Sequence, residues 1–366
     1  MYQYEGHISR REGITLIFAV LSSMLFLQYP QFLVEVGGPA GWQVALVMTL
    51  GGMATLLPVI ALIRRFPGRG LDQISKAAAG VVLGPLLTLL IATWLLASLV
   101  LSLRSFTETF IVTILPDTPP SPVMVMAVLC ALYASYRGLE AISRATQILL
   151  PLIAGGSLLV LLFSLPRVDT SLLFPFWGHG LIPTVTGGLY YASMAAEAVV
   201  ILAFGYAFRD PNDARSSGLV GTLLFGLGAT AVAVVLVGVF GAPTASQNPF
   251  PLFNLARLIY LGRFLQRMES LIIMFWVFAA LVRLAVLMHA ATVTLGGALG
   301  LPHYRPLLFS LSVMIIPLAL LPEDFLVTLR LDRDWLRPLG FAVLLIPALL
   351  WLLAVIRRKG GETDAA

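Results

Sequence analysis

Apolar residues in this chain fall in long unbroken blocks, not in the single stripe of a surface helix or the alternation of a half-buried strand. Ten such blocks follow one another, at about residues 13–36, 41–63, 83–115, 122–136, 146–165, 183–208, 217–242, 268–295, 307–321 and 338–356. Each is read as a helix crossing roughly 30 Å of hydrocarbon. Helices are the form implied because a bilayer has no water to satisfy an open backbone. The fourth and fifth blocks are joined by a short polar connector, 137–144. The pattern predicts an all-α integral membrane protein forming a single polytopic domain over residues 1–366, with no stretch left over for a soluble domain.

Composition strengthens this reading. Of 366 residues, 59% are hydrophobic and 11% charged, and the mean hydropathy is +0.94, against about 45–50% and about 25% in an ordinary soluble domain. The single cysteine, Cys130, excludes a disulfide framework and a cysteine zinc site, and the four histidines are scattered; no metal and no cofactor are expected. The net charge of +5 comes without any run of five Lys or Arg, so nucleic acid is not an expected partner. The basic residues report topology instead. With the N-terminus inside, fourteen of the 23 Lys and Arg lie on the cytoplasmic side. Seven lie opposite (Arg167, Arg257, Arg263, Arg267, Arg330, Arg333 and Arg337), and Arg104 and Arg283 fall within blocks. Both termini are therefore expected in the cytoplasm, with an uncleaved first helix. Two stretches on the outer side read as more than loops. Residues 254–267 put Arg257, Arg263 and Arg267 on one face of an interfacial amphipathic helix, and 324–335 mixes acids, Arg and Leu in a similar way. P-loop, GxSxG and HExxH patterns are missing, so the chain is not read as an enzyme and no catalytic residue is assigned.

Ionisable side chains inside the blocks point to function, because each costs about 2.5–3.5 kcal/mol on insertion scales unless partnered or wetted. Arg104 and Glu108 stand four apart on one helix face and can pair, either as a local ion pair or as part of a polar pathway beside Trp94, Ser98 and Ser102. Glu197 and Arg283 have no opposite charge one turn away, and are expected to meet, either around a shared polar cavity or as a structural buried bridge between the sixth and eighth blocks. Helix breakers add a second signal. Ser22-Ser23-Met24 lies in the middle of the first block, followed by Pro30, which lacks the amide that would bond to Phe26. In the sixth block Gly187-Gly188 precedes Tyr190, Tyr191 and Ser193. Two irregular helices five blocks apart are what an inverted five-plus-five repeat predicts, with repeat one at about 13–165, repeat two at about 183–356, and a ligand at the breaks.

Several stretches together resemble one family. These are LRSFTETFIVTILPDTP in the third block, YRGLEAISRATQILLP between the fourth and fifth, and LLFPFWGHGLIP before the sixth, whose acid is Glu197. The segment FPLFNLARLIYLGRFLQRMESLIIMFWVFAALVRLAVLMHAA leads into and through the eighth. They resemble the permease-like B subunits of bacterial spore germinant receptors, within the amino acid–polyamine–organocation transporter superfamily. The resemblance implies ten helices in the leucine-transporter-type fold with helices 1 and 6 discontinuous. It also implies a location in the spore inner membrane and two partner subunits of the receptor. The pocket it implies is built from Ser22, Ser23, Met24, Trp94, Met194, Glu197 and Arg283, and takes a small germinant, foremost an amino acid. Ser23-Met24-Leu25 stands where the superfamily has a small Gly-x-Gly type break, and Arg283 where many relatives carry Lys or an uncharged residue. Two other readings rest on the same residues: a secondary amino acid transporter with Glu197 as proton carrier, and an ion or water conduit lined by Arg104, Glu108 and Glu197.

Overall fold

A computed structural model describes residues 6–259 and 268–360. Of the described residues 83% are helical, and the only β pairing among them is an isolated bridge between Ile8 and Phe208. Among the described residues seven helical stretches are long and apolar enough to cross a membrane: Tyr29–Arg65, Leu83–Thr113, Leu139–Arg167, Leu181–Ala203, Pro211–Phe240, Glu269–Ala298 and Phe325–Ile356. The remaining apolar blocks are also helical, as Arg10–Ser22, Pro120–Arg137 and Arg305–Ala319, but fall outside that measure of length and hydropathy.

Sequence explains where these helices start. Ser9 and Glu12 form a capping box at the head of Arg10–Ser22, with the Ser9 amide 2.7 Å from Glu12 Oε2. Asp210 caps Pro211–Phe240 by accepting from the Asn212 amide at 2.8 Å. In lipid, helices associate by close packing of side chains, since tails are as apolar as leucine. Pro211–Phe240 lies along Gly41–Arg65 and Arg10–Ser22, while Met268–Ala298 lies along Leu83–Thr113, Pro120–Arg137 and Leu139–Ser164. Large apolar side chains such as Leu50, Ile148, Val313 and Leu345 point outward, while Arg104, Glu197, Arg283, Asp332 and Arg337 are buried. Arg65 Nε donates to the Lys359 carbonyl (2.6 Å). With the Ile8–Phe208 bridge, this defines one end of the bundle, the near face; Gly37, Gly180 and Asp324 mark the far face.

Three expectations need correction, and a fourth falls largely outside the described residues. The connector 137–144 is not a loop: Gly138 alone, at φ 91°, separates Pro120–Arg137 from Leu139–Ser164, because only glycine takes that angle without strain. Gly187-Gly188 is not the break of the sixth block. Both lie within helix Leu181–Tyr191, and a Cβ there would come to 2.3 Å from Val36 Cγ1 and 2.5 Å from Val47 Cβ. These glycines serve close packing, and the break lies one turn later. Residues 324–335 do not form a separate helix on the surface. Phe325–Arg330 and a wide π-helical turn, Leu331–Leu336, run directly into Arg337–Ile356, and Arg337, placed on the outer side by charge counting, is 1% exposed. Of the amphipathic helix at 254–267, the part described is Pro251–Arg257. It buries Leu252, Leu255 and Ala256 while Arg257 lies over the Phe253 ring; Arg263 and Arg267 lie outside the described residues.

Candidate functional site

Two interrupted helices meet at the centre of the bundle. Arg10–Ser22 tightens into a 3-10 turn, Ser23–Phe26, and the chain restarts as Tyr29–Gly37. Pro30 sits in the first turn of that second helix, where its missing N–H costs nothing. In the sixth segment, Leu181–Tyr191 gives way to an eight-residue 3-10 stretch, Ala192–Val199. That is long for a form whose poorer hydrogen bonds usually limit it to three or four residues. This stretch lies against Arg10–Ser22, Gly41–Arg65 and Arg337–Ile356.

The breaks place Glu197 opposite Arg283. Glu197 is fully buried, and Arg283 Nη2 lies 2.5 Å from its Oε1. Arg283 also donates from Nε to Ser102 Oγ (3.1 Å) and from Nη1 to Ser23 Oγ (3.4 Å). One guanidinium thus ties the first, third, sixth and eighth segments together. The two charges that lack local partners in sequence meet directly. Ser22 and Ser23 turn their hydroxyls back to the Phe18 and Val20 carbonyls, and Met24 and Met194, one on each break, are buried.

Sequence reasoning missed half of the cluster. Arg337 Nη2 lies 2.6 Å from Asp332 Oδ1, 3.8 Å from Glu197 Oε1 and 3.4 Å from the Tyr29 hydroxyl, and the guanidinium stacks 5.5 Å from the Tyr29 ring centre. Five residues apart, Asp332 and Arg337 would diverge on an α-helix, but the wider turn Leu331–Leu336 brings them to one side. An acid and a base at that spacing, just ahead of Pro338 and a long apolar run, are the signal that could have found them. Trp94 braces the turn from behind through Nε1–H to the Leu336 carbonyl (3.2 Å). Gly340 leaves room there, since a Cβ would stand 3.5 Å from both Ser193 and Trp94. The four charges are two acids and two arginines, a neutral set, which is what allows them to sit away from water.

Above the cluster, toward the far face, Tyr191 stacks on Phe32 (6.1 Å), whose edge meets Tyr29 (5.9 Å). Tyr191 also lines a vestibule of about 570 Å³ with Glu35, Thr186, Tyr190, Arg333 and Asp334. Arg333 bridges Glu35 (3.4 Å) and Asp334 (3.0 Å), and its carbonyl accepts from the Tyr190 hydroxyl at 2.6 Å.

Arg104 and Glu108 pair at 2.7 Å, as their spacing suggests. The Arg104 guanidinium also reaches the Ala319 and Glu323 carbonyls at 3.5 Å, placing positive charge at the C-terminal end of Arg305–Ala319, where the helix dipole favours it. Among the described residues no group of three or more His, Cys, Asp or Glu could hold a metal.

Comparison with known proteins follows the same lines. A family model described as "Spore germination protein" matches residues 7–325. The chain is similar to "Spore germination protein XB" of Bacillus anthracis, 28% identical over 209 residues, which cover 57% of this chain and 58% of that protein. It is also similar to "Spore germination protein YndE" of Bacillus subtilis (strain 168), 21% identical over 332 residues, 88% of this chain and 90% of that protein. The match thus spans a little over half the length of the Bacillus anthracis relative and nearly all of the other. Among solved structures, MhsT in complex with L-phenylalanine superposes with a TM-score of 0.67 at 15% identity, covering 96% of this chain and 99% of MhsT. A Na+-coupled sialic acid symporter in a substrate-bound outward-open state gives 0.65 at 14%, covering 96% and 78%. The leucine-transporter-type fold implied by sequence is the fold of this chain.

Proposed function

The chain belongs to the spore germination protein family, and from that premise we propose that it is the germinant-sensing membrane subunit of a spore germination receptor. It is a multi-pass membrane protein whose relatives are receptor or transporter proteins and not enzymes. In this reading the near face is cytoplasmic, the membrane is the spore inner membrane, and two further receptor subunits read the state of this one. A small nutrient, an amino acid, enters through the far-face vestibule and binds where the first and sixth segments are interrupted. Ser22, Ser23, Met24, Trp94, Met194, Glu197 and Arg283 frame the site. The observation that carries the reading is the neutral, buried charge cluster formed where the two interrupted helices meet. Such a cluster answers to a zwitterion, whose carboxylate and ammonium find opposite charges without any net charge being buried.

Binding signals only if it favours one arrangement of the two helix sets over another, and a full switch from 1:99 to 99:1 takes about 5.5 kcal/mol of differential affinity. The test is the germination response of spores carrying Glu197→Gln, with membrane insertion checked in parallel. We expect the dose–response curve to shift by at least about tenfold; a curve that overlays the wild type removes Glu197 from the site.

A second reading, a secondary amino acid transporter, is favoured by the fold shared with two transporter structures. In proteoliposomes, accumulation of an amino acid under a proton gradient supports transport, whereas binding without accumulation supports sensing alone.

A further inference from the structure

The two buried arginines differ in how many of their donors are spent. Each nitrogen of Arg283 has a partner: Nε meets Ser102, Nη1 meets Ser23 and Nη2 meets Glu197. Arg337 spends only Nη2, on Asp332 and the Tyr29 hydroxyl. Its Nε and Nη1 are buried without a hydrogen-bond partner among the described residues, leaving three N–H donors unused. The acids show the converse. Glu197 Oε1 is engaged and Oε2 is not; Asp332 Oδ1 is engaged and Oδ2 is not. The Gln28 amide, at the restart of the first segment, is unpartnered on both its oxygen and nitrogen. Buried polar atoms in folded proteins are nearly always satisfied, so the unspent donors of Arg337 beside the unspent acceptors of Glu197 and Asp332 ask for a ligand that supplies both kinds.

We infer that Arg337, which directly follows the π turn at the head of the last helix, holds the carboxylate of the ligand, and that Glu197 Oε2 with Asp332 Oδ2 receives its ammonium group. Arg283 is then a positioning residue that holds Glu197 in place and binds the broken helices together. This inference rests on the amino acid reading above and sharpens it by moving the specificity-determining cation from the eighth segment to the tenth. The route is short: Tyr191, on the wall of the vestibule, stacks on Phe32, and Phe32 meets Tyr29, whose hydroxyl touches Arg337. A free carboxylate should therefore be read far more strongly than its amide, because the amide offers no charge to the unspent guanidinium edge.

The experiment is calorimetric binding to the purified full chain, first with the twenty proteinogenic L-amino acids, then with the carboxamide of whichever binds best. Wild type should prefer the acid to its amide by about 10- to 100-fold. Arg337→Gln should bring that ratio close to one, whereas Arg283→Gln should weaken acid and amide alike and leave the ratio in place. Should Arg337→Gln not fold, the double variant Arg337→Gln/Asp332→Asn removes both charges together, keeps the interior neutral and should also lose the preference. A preference that survives the loss of Arg337, or collapses in Arg283→Gln instead, overturns the inference and leaves the amino acid reading standing. Failure of all twenty amino acids to bind overturns that reading itself.

Discussion

Two buried ion systems in this protein look alike in the sequence and behave differently in the structure. Arg104 and Glu108 sit on a single helix, one turn apart, and find each other as soon as that helix forms. The surplus of Arg104 goes to the carbonyls that end the helix Arg305–Ala319. Glu197, Arg283, Asp332 and Arg337 come from three separate segments; Asp332 and Arg337 meet across one π turn, but the contacts of Glu197 with Arg283 and Arg337 exist only once those segments are assembled. The local pair leaves a single buried atom without a partner among the described residues, Arg104 Nε. The distributed set leaves atoms unspent on three of its four members. Charge in a membrane protein is thus ambiguous until its donors and acceptors are counted.

This contrast can be broken or sharpened by mutation. The largest effect is expected for Glu197 and Arg283. Removing either partner should cost about 3–5 kcal/mol, because it strands a buried charge, and a double-mutant cycle with Glu197→Gln and Arg283→Gln should show strong coupling in thermal unfolding in detergent. Near-additivity would mean that the two do not act as a pair. Arg104→Ala should cost about 1 kcal/mol and leave the midpoint of the germination response in place. A shifted midpoint would instead make the third-segment pair part of a polar pathway. The smallest effect belongs to the far-face bridge. Arg333→Ala at the vestibule should change stability by no more than about 0.5 kcal/mol, since Arg333 and Glu35 are 36% and 48% exposed; a larger loss would show that this pair clamps the vestibule.

Much of this was legible in the sequence. Block length and composition predict the helices, and the spacing of Arg104 and Glu108 predicts their pairing. Glu197 and Arg283, each without a local partner, predict one another. What escaped the sequence depends on backbone form that a regular helical period does not encode. Gly187-Gly188 reads as a break but packs tightly against Val36 and Val47, because glycine lowers helix stability and also permits close approach, and the sequence does not say which. The true break, Ala192–Val199, carries no proline or glycine; tertiary contacts impose it. Asp332 and Arg337 escaped because 324–335 reads as an amphipathic stretch on the outer surface and charge counting puts Arg337 outside, and because their meeting needs a turn wider than the α-helix. Gly138 hid the continuity of two helices for the opposite reason, as one residue did the work expected of eight.

That wide turn has one more consequence. A π turn is an α-helix with one residue to spare, so Phe325–Arg330 and Arg337–Ile356 are out of phase by about 100°. Arg333 can therefore face the vestibule while Arg337 faces the interior, although the two are four residues apart and an undisturbed helix would align them. A single helix presents one cation to each compartment, and sliding the spare residue along it would rotate one of them without moving the other.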